Sequence, residues 1–236
     1  MFEKYLDLAH EQLNKIQEYE GENIAKAAKL VGDSIMKGEW VYTFGSGHSQ
    51  MLAIEVHARA GGLYPIVHIP DPINGRAEKV EGFGPVLVEG LPFKKGATIF
   101  VISNSGRNPE PIEIAMIAKE AGMNVIAVTS LEHSQAVTSR HSSGKKLFEL
   151  ADVVLNTHVA AGDASITFEG LKEKSGAFST VIGAVIMNAV MVESIQYMLD
   201  QGYEPPILIS ANLDGSDEHN RRIFEKFGPF PSARQI

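Results

Sequence analysis

Five short, almost unbroken apolar runs recur along this chain, at positions 40–44, 66–69, 98–102, 125–129 and 153–157. A strand with one face in water alternates apolar and polar residues. A run without alternation is buried on both faces, as in a parallel sheet covered by helices. The segments between the runs read as helices near 49–61, 109–122 and 144–150. Strands alternating with helical crossovers restrict the chain to right-handed βαβ units in an open, doubly wound sheet. The predicted fold class is therefore α/β, with a five-stranded parallel sheet as the middle of three layers.

Two helical segments precede the first run. Leu6, Ala9, Leu13, Ile16 and Tyr19 recur at three- and four-residue steps, which predicts a helix with one apolar face. Gly21 breaks it. A second helix is read from Glu22 to Lys37, with Ile24, Ala27, Ala28, Val31 and Ile35 inward and Gly38 as its stop. After the fifth run a polar loop feeds a long apolar helix from Gly176 to Leu199, and the tail from Gly202 is rich in Pro and polar residues. No repeat or linker interrupts the sequence. Residues 1–236 are read as one domain, with N-terminal helices over 1–38, a core over 39–200 and a C-terminal extension over 201–236.

Composition narrows the partners. The absence of cysteine excludes disulfides, thiolate zinc sites and a cysteine nucleophile. A formal net charge of −8 argues against non-specific nucleic-acid binding, which needs Lys and Arg to neutralise phosphates. The longest apolar stretch, Val181 to Val192, contains Asn188 and is too short to span a bilayer. The charged, amphipathic start, Met1 to Asp7, lacks a secretory pattern. A cytoplasmic location is expected, with neither a nucleic-acid nor a membrane partner.

Two turns carry most of the functional information. Gly45-Ser46-Gly47-His48-Ser49 follows the first apolar run, and Ser103-Asn104-Ser105-Gly106-Arg107-Asn108 follows the third. Each links a strand to a helix, where free backbone N–H groups and small hydroxyls meet the positive end of the helix dipole. Such a turn receives anions, phosphate above all. Neither is a Walker loop or a full dinucleotide fingerprint. The competing reading, that the glycines only let helices pack closely on strands, is weaker because both turns also supply serines. Ser103 and Ser105 can donate hydroxyls while the N–H groups of Ser105 to Asn108 turn inward. Pro109 suits the first turn of the following helix. Arg107 is read as a surface side chain, with a bidentate phosphate clamp as the alternative. Glu110 and Glu113 are read as capping and dipole partners. The loop from Ala160 to Ser165 reaches the same rim, and the two turns become neighbours if the first and third strands are adjacent.

The patterns Gly-x-Gly-x-Ser at 45–49 and Ser-x-Ser-Gly-x-x-x-Glu at 103–110 resemble the sugar isomerase (SIS) domain, over roughly residues 22–200. The whole chain is similar to single-domain SIS proteins described as phosphosugar or phosphoheptose isomerases. The resemblance implies a flavodoxin-like sheet with extra N- and C-terminal helices. It also implies a homodimer or homotetramer with sites near subunit interfaces, and a phosphorylated sugar as ligand. By the same resemblance Ser49 is the first-loop serine, and Ser103, Asn104 and Ser105 are second-loop phosphate ligands. Asn108 stands where the family carries Thr or Ser. With Gly47, His48 and Gly106 these residues form the expected substrate-binding set. The segment Thr167 to Ala177 resembles the family's third segment; its Lys172 and Lys174 read as a charged helix start, with phosphate neutralisation as the alternative.

Moving a proton between adjacent carbons of an aldose or ketose phosphate needs a base. Glu81, then Glu78, are the first candidates, in the loop after the second strand. Glu55 shares a helix face with Arg59 at four-residue spacing, and His219 in the tail could cover a pocket. Arg59 occupies the position, ten residues beyond Ser49, where heptose phosphate isomerases and etherases carry Glu. His68 reads as a hydrogen-bonded core or rim residue. The histidines are scattered, so no metal site and no cofactor is predicted. The leading expectation is aldose–ketose phosphosugar isomerisation through an enediol. One alternative is an etherase-like lyase on an acetylated amino-sugar phosphate, because Ser105-Gly106-Arg107-Asn108-Pro109 is close to that branch's Ser-Gly-Arg-Thr-Pro. Another is a non-catalytic sugar-phosphate sensor, although the first 38 residues are too acidic for the DNA-binding domain such regulators carry.

Overall fold

Strands β1 (Val41–Gly45), β2 (Ile66–Ile69), β3 (Thr98–Ile102), β4 (Asn124–Thr129) and β5 (Val153–Asn156) form one parallel sheet in the order β2-β1-β3-β4-β5. The computed structural model describes residues 1–232; the last four positions of the C-terminal extension, 233–236, lie outside the described residues. Every apolar run of the sequence forms its expected strand to within a residue. Alternate side chains leave opposite faces of the sheet. Val41, Phe100, Ile102, Ile126 and Val128 join one core, and Tyr42, Phe44, Ile99, Val101 and Val125 join the other. The first core is closed by helices α1 (Phe2–Tyr19), α2 (Gly21–Met36), α3 (Gln50–Glu55) and α7 (Ser179–Asp200), and the second by α4 (Phe83–Val88) and α5 (Pro109–Glu120). The strand order reverses between β1 and β3, which pair from Val41↔Thr98 to Gly45↔Ile102. A crevice opens beyond the carboxyl ends of strands at such a reversal.

Several helices depart from the sequence reading. The helix expected over 49–61 ends at Glu55, so His57 and Arg59 lie beyond it. Ala58 adopts φ +47°, and the chain turns to pair with the tail through Gly61 N–H to Leu208 O and Tyr64 N–H to Pro206 O. The segment near 144–150 holds only a 3-10 turn at Leu147–Glu149. Helices α4 and α6 (Leu131–Gln135) are too short to show apolar periodicity, and α8 (Ser216–Phe227) has only Ile223, Phe224 and Phe227 as apolar residues. Glu113 does not serve its own helix: its carboxylate accepts N–H groups of Gly82 and Gly84 and caps α4. The apolar face of α1 is only partly covered, with Ile16 buried and Leu6 and Tyr19 exposed.

Helix α7 is the one described helix long and apolar enough to cross a membrane by composition. Its residues Ile182, Ile186, Met187 and Val190 are fully buried against the sheet and α2, as in the core helix of a globular protein. Its opposite face is also apolar.

Candidate functional site

The first loop is built by a close fold-back of the chain. A Cβ on Gly45 would stand 2.5 Å from the Ser49 carbonyl oxygen, so only glycine lets the strand end turn this tightly. Ser46 then starts a 3-10 turn over Gly47–Ser49, with Ser49 N–H donating to Ser46 O at 3.2 Å. Gly47 N–H donates to Asp71 Oδ2, in the loop after β2, at 3.3 Å. His48 is left exposed on the rim.

The second loop holds itself open by internal bonds. Gly106 N–H donates to Ser103 Oγ at 3.2 Å, and Gly106 sits at φ +57° with Ser134 Oγ where a Cβ would be. Ser103 Oγ is thus partly committed as an acceptor, although its own hydrogen remains available to donate. The N–H groups of Ser105, Arg107 and Asn108 have no partner among the described residues. Of the four N–H groups expected to face an anion, the one on Gly106 is spent within the loop. The Arg107 guanidinium is directed to the 138–147 segment, where its Nη2 reaches Thr138 Oγ1 at 3.4 Å.

The crevice between the loops is lined by His48, Ser49, Asn104, Thr157, Ser179 and Thr180, over a floor of Leu52, Ile102 and Val128. Asn104 Oδ1 accepts from Thr157 Oγ1 at 3.4 Å, which ties the end of β5 to the second loop. Asp163, at φ +57°, accepts the N–H groups of Phe178 and Ser179 and the Ser179 hydroxyl. That carboxylate locks the first turn of α7 against the crevice. Thr157, Ser179 and Thr180 escaped the sequence reading; the only signal for Thr157 was its place at the end of a strand. Lys172 and Lys174 are exposed and form no ion pair among the described residues. On the β2 side, a groove of about 340 Å³ runs from Gly47 and His48 past Met51, Ile54 and Asn74.

The four acid–base candidates are not brought together. Glu81 gives both carboxylate oxygens to Ser142, at 2.6 Å from its N–H and 2.7 Å from its hydroxyl, and these bonds hold its pKa below the ordinary value. Glu55 binds Arg59 and accepts Asn188 Nδ2 at 3.1 Å, joining the far end of α3 to α7. Six residues of helix place it about 9 Å from the first loop along the axis. His219 lies in α8, its Nε2 2.9 Å from Ile207 O, next to the chain that enters β2. That is the amino-end side of the sheet, away from the crevice, in a separate cavity with Glu204, Arg222 and Lys226. Glu78 alone of the four makes no side-chain bond among the described residues. A Cβ on Gly75 would meet the Gly47 backbone at 3.0 Å and Glu78 Oε2 at 3.8 Å, which puts this carboxylate beside the first loop.

Glu110 is the functional-site surprise. It is fully buried, and neither carboxyl oxygen has a hydrogen-bond partner among the described residues. Burial, with Asp71, Glu78 and Glu113 nearby, pushes its pKa up to about 8. The sequence placed it as a helix-capping carboxylate; the loops folded over the first turn of α5 make that surface interior. His68 is neutral, its pKa held at about 4 by burial beside His57, and its Nε2 is buried with no partner among the described residues rather than hydrogen-bonded.

Sheet order and loop geometry define an α/β protein of flavodoxin-like topology with a crevice lined by polar groups at the β1/β3 reversal. The chain belongs to the SIS domain family, whose model matches residues 4–130. It is 44% identical over 223 residues to a UPF0309 protein of Listeria monocytogenes, covering 94% of this chain and 95% of that protein. Among solved structures it is similar to a phosphoheptose isomerase from Francisella tularensis, with TM-score 0.59 and 16% identity over 83% of this chain and 96% of that one. It is also similar to the Vibrio vulnificus NanR protein complexed with ManNAc-6P, with TM-score 0.54 and 15% identity over 94% of this chain and 67% of that one. At these identities the solved structures share the fold.

Proposed function

We propose that this protein binds a phosphorylated sugar in the β1/β3 crevice and interconverts its aldose and ketose forms through an enediol. The observation that carries the reading is the convergence of Ser49, Asn104, Thr157, Ser179 and Thr180 on one crevice beside the free N–H groups of the second loop. These groups are donors without a fixed charge, suited to phosphate at a helix N-terminus and to sugar hydroxyls. The solved relative holding ManNAc-6P supports the ligand class.

In this reading Ser103, Ser105 and the N–H groups at Ser105, Arg107 and Asn108 hold the phosphate. Ser49 and His48 meet the sugar. Glu78, whose carboxylate is unengaged beside the first loop, removes the carbon-bound proton, and His48 moves the hydroxyl proton. Glu81 anchors the Ser142 segment instead. The test is solvent deuterium exchange into sugar phosphates, in wild type and Glu78→Gln. Exchange that disappears in Glu78→Gln while phosphate-dependent binding persists supports the assignment. Binding without exchange in the wild type overturns the isomerase reading and leaves a sensor.

The protein acts as a homodimer or homotetramer in this proposal, in the cytoplasm. On the outer face of α7, Val181, Val185, Val192 and Leu199 stand four, seven and seven residues apart, flanked by Asn188, whose side chain donates to Glu55, and by Ile195, which packs on the core. Val181, Val185, Val192 and Leu199 are exposed. Such spacing is the seam of two packed helices, and a second copy presents the same stripe.

A further inference from the structure

The segment 138–147, between α6 and β5, lies across the second loop like a strap. Arg140 N–H donates to Arg107 O at 2.8 Å and Leu147 N–H to Gly106 O at 2.9 Å. Ser142 secures the far side on Glu81. Between these anchors Arg140 Nη1 donates to the Asn108 side chain at 2.8 Å. A guanidinium carries donors only, so the amide atom facing it has to be Oδ1. Asn108 is 7% exposed, and its side chain does not cap its own helix. Its Nδ2 has no partner among the described residues and is turned from the guanidinium, at the mouth of α5.

We infer that Arg140 is a positioning residue for the anion site: it fixes Oδ1 of Asn108 and thereby presents Nδ2 to the phosphate. This rests on the phosphate-site reading above. Both ends of an amide are polar, and only one is useful here. Left free, the side chain can flip and set a carbonyl oxygen against phosphate oxygens, which is repulsive. The main-chain anchors at both ends of the strap let Arg140 hold its place at little further entropic cost.

The inference is tested by calorimetric titration with inorganic phosphate. Arg140→Met is expected to weaken binding roughly ten-fold in the wild-type background, the scale of one lost donor next to an anion. A threonine hydroxyl turns about its own C–O bond and needs no orienting partner. In an Asn108→Thr background, therefore, Arg140→Met should change affinity less than about two-fold. Arg140→Lys, which keeps a donor toward Oδ1, should retain most of the affinity, which separates positioning from a strap that merely came loose. Equal losses in the two backgrounds would mean that Arg140 acts on the anion directly and would overturn the inference. So would an undiminished affinity in Arg140→Met. Should the folded wild-type protein bind no phosphate at all, the phosphate-site reading fails first and this inference with it.

Discussion

Asp71 holds Gly47 in place: its carboxylate accepts the Gly47 N–H at 3.3 Å while also accepting those of Ile73, at 3.1 Å, and Gly75. One buried side chain therefore sets the distance between the first loop and the turn after β2. Asp71→Asn keeps the shape but points an amide NH₂ at backbone donors. Leaving a buried N–H without its acceptor costs about 1–3 kcal/mol. The variant should melt several degrees lower and bind sugar phosphates more weakly through a loosened Gly47–Ser49 turn. Unchanged melting and affinity would show that the first loop stands without this tie.

The two serines of the second loop should separate in their effects. The Ser105 hydroxyl makes no hydrogen bond among the described residues, so Ser105→Ala should leave stability alone and cost a phosphorylated ligand about 1.5–3 kcal/mol, with little effect on the unphosphorylated sugar. Ser103 also receives Gly106 N–H, so Ser103→Ala should lose both affinity and thermal stability. Titration of each variant with a sugar and its phosphate, beside thermal melts, reads both quantities. Equal losses for the two ligands would remove phosphate from the role of these serines.

What the sequence made legible followed from local patterning. The strands were readable because runs such as Thr98–Ile102 lack polar alternation, and the two loops because Gly and Ser mark strand-to-helix turns. Helix α8 was not readable, since its few apolar residues gain meaning only against the distant Tyr64 ring, which packs on Phe224 with centroids 4.8 Å apart. Arg140 gave no signal either. Its role depends on a strap laid over a loop more than thirty residues earlier, a relation no local spacing encodes. Glu110 misled for the opposite reason, because a carboxylate in a first helical turn ordinarily faces water.

The outer stripe of α7 predicts an assembly. Val192→Glu places a charge in the middle of the seam, where burial against a second copy strongly disfavours it. Light scattering at micromolar concentration should report an oligomer for the wild type and a smaller species for the variant. Because Val192 is exposed in the chain itself, the variant should keep its fold, as circular dichroism can verify. A monomeric wild type would leave this stripe without the proposed partner.

Glu110 predicts how stability depends on pH. Its carboxyl titrates near 8 in the folded protein against an ordinary value of 4.5, because burial and the carboxylates of Asp71, Glu78 and Glu113 oppose a further negative charge. Between those values the folded chain keeps a proton that the unfolded chain has released, so stability falls as pH rises through the window. His68 acts in the opposite direction, since its folded value of about 4 lies below its ordinary 6.5, but only at pH below about 6.5. From pH 6.5 to 8 the Glu110 contribution therefore stands clear of His68. Glu110→Gln resembles the protonated acid and cannot ionise, so its unfolding free energy should fall less over that interval than that of the wild type. The difference should be on the order of 2 kcal/mol, from about 1.4 kcal/mol for each pH unit over which one proton is retained. Urea unfolding at closely spaced pH values measures it. Parallel pH profiles for the two proteins would mean that Glu110 is already ionised in the fold, its carboxylate stabilised by groups other than the carboxylates it faces.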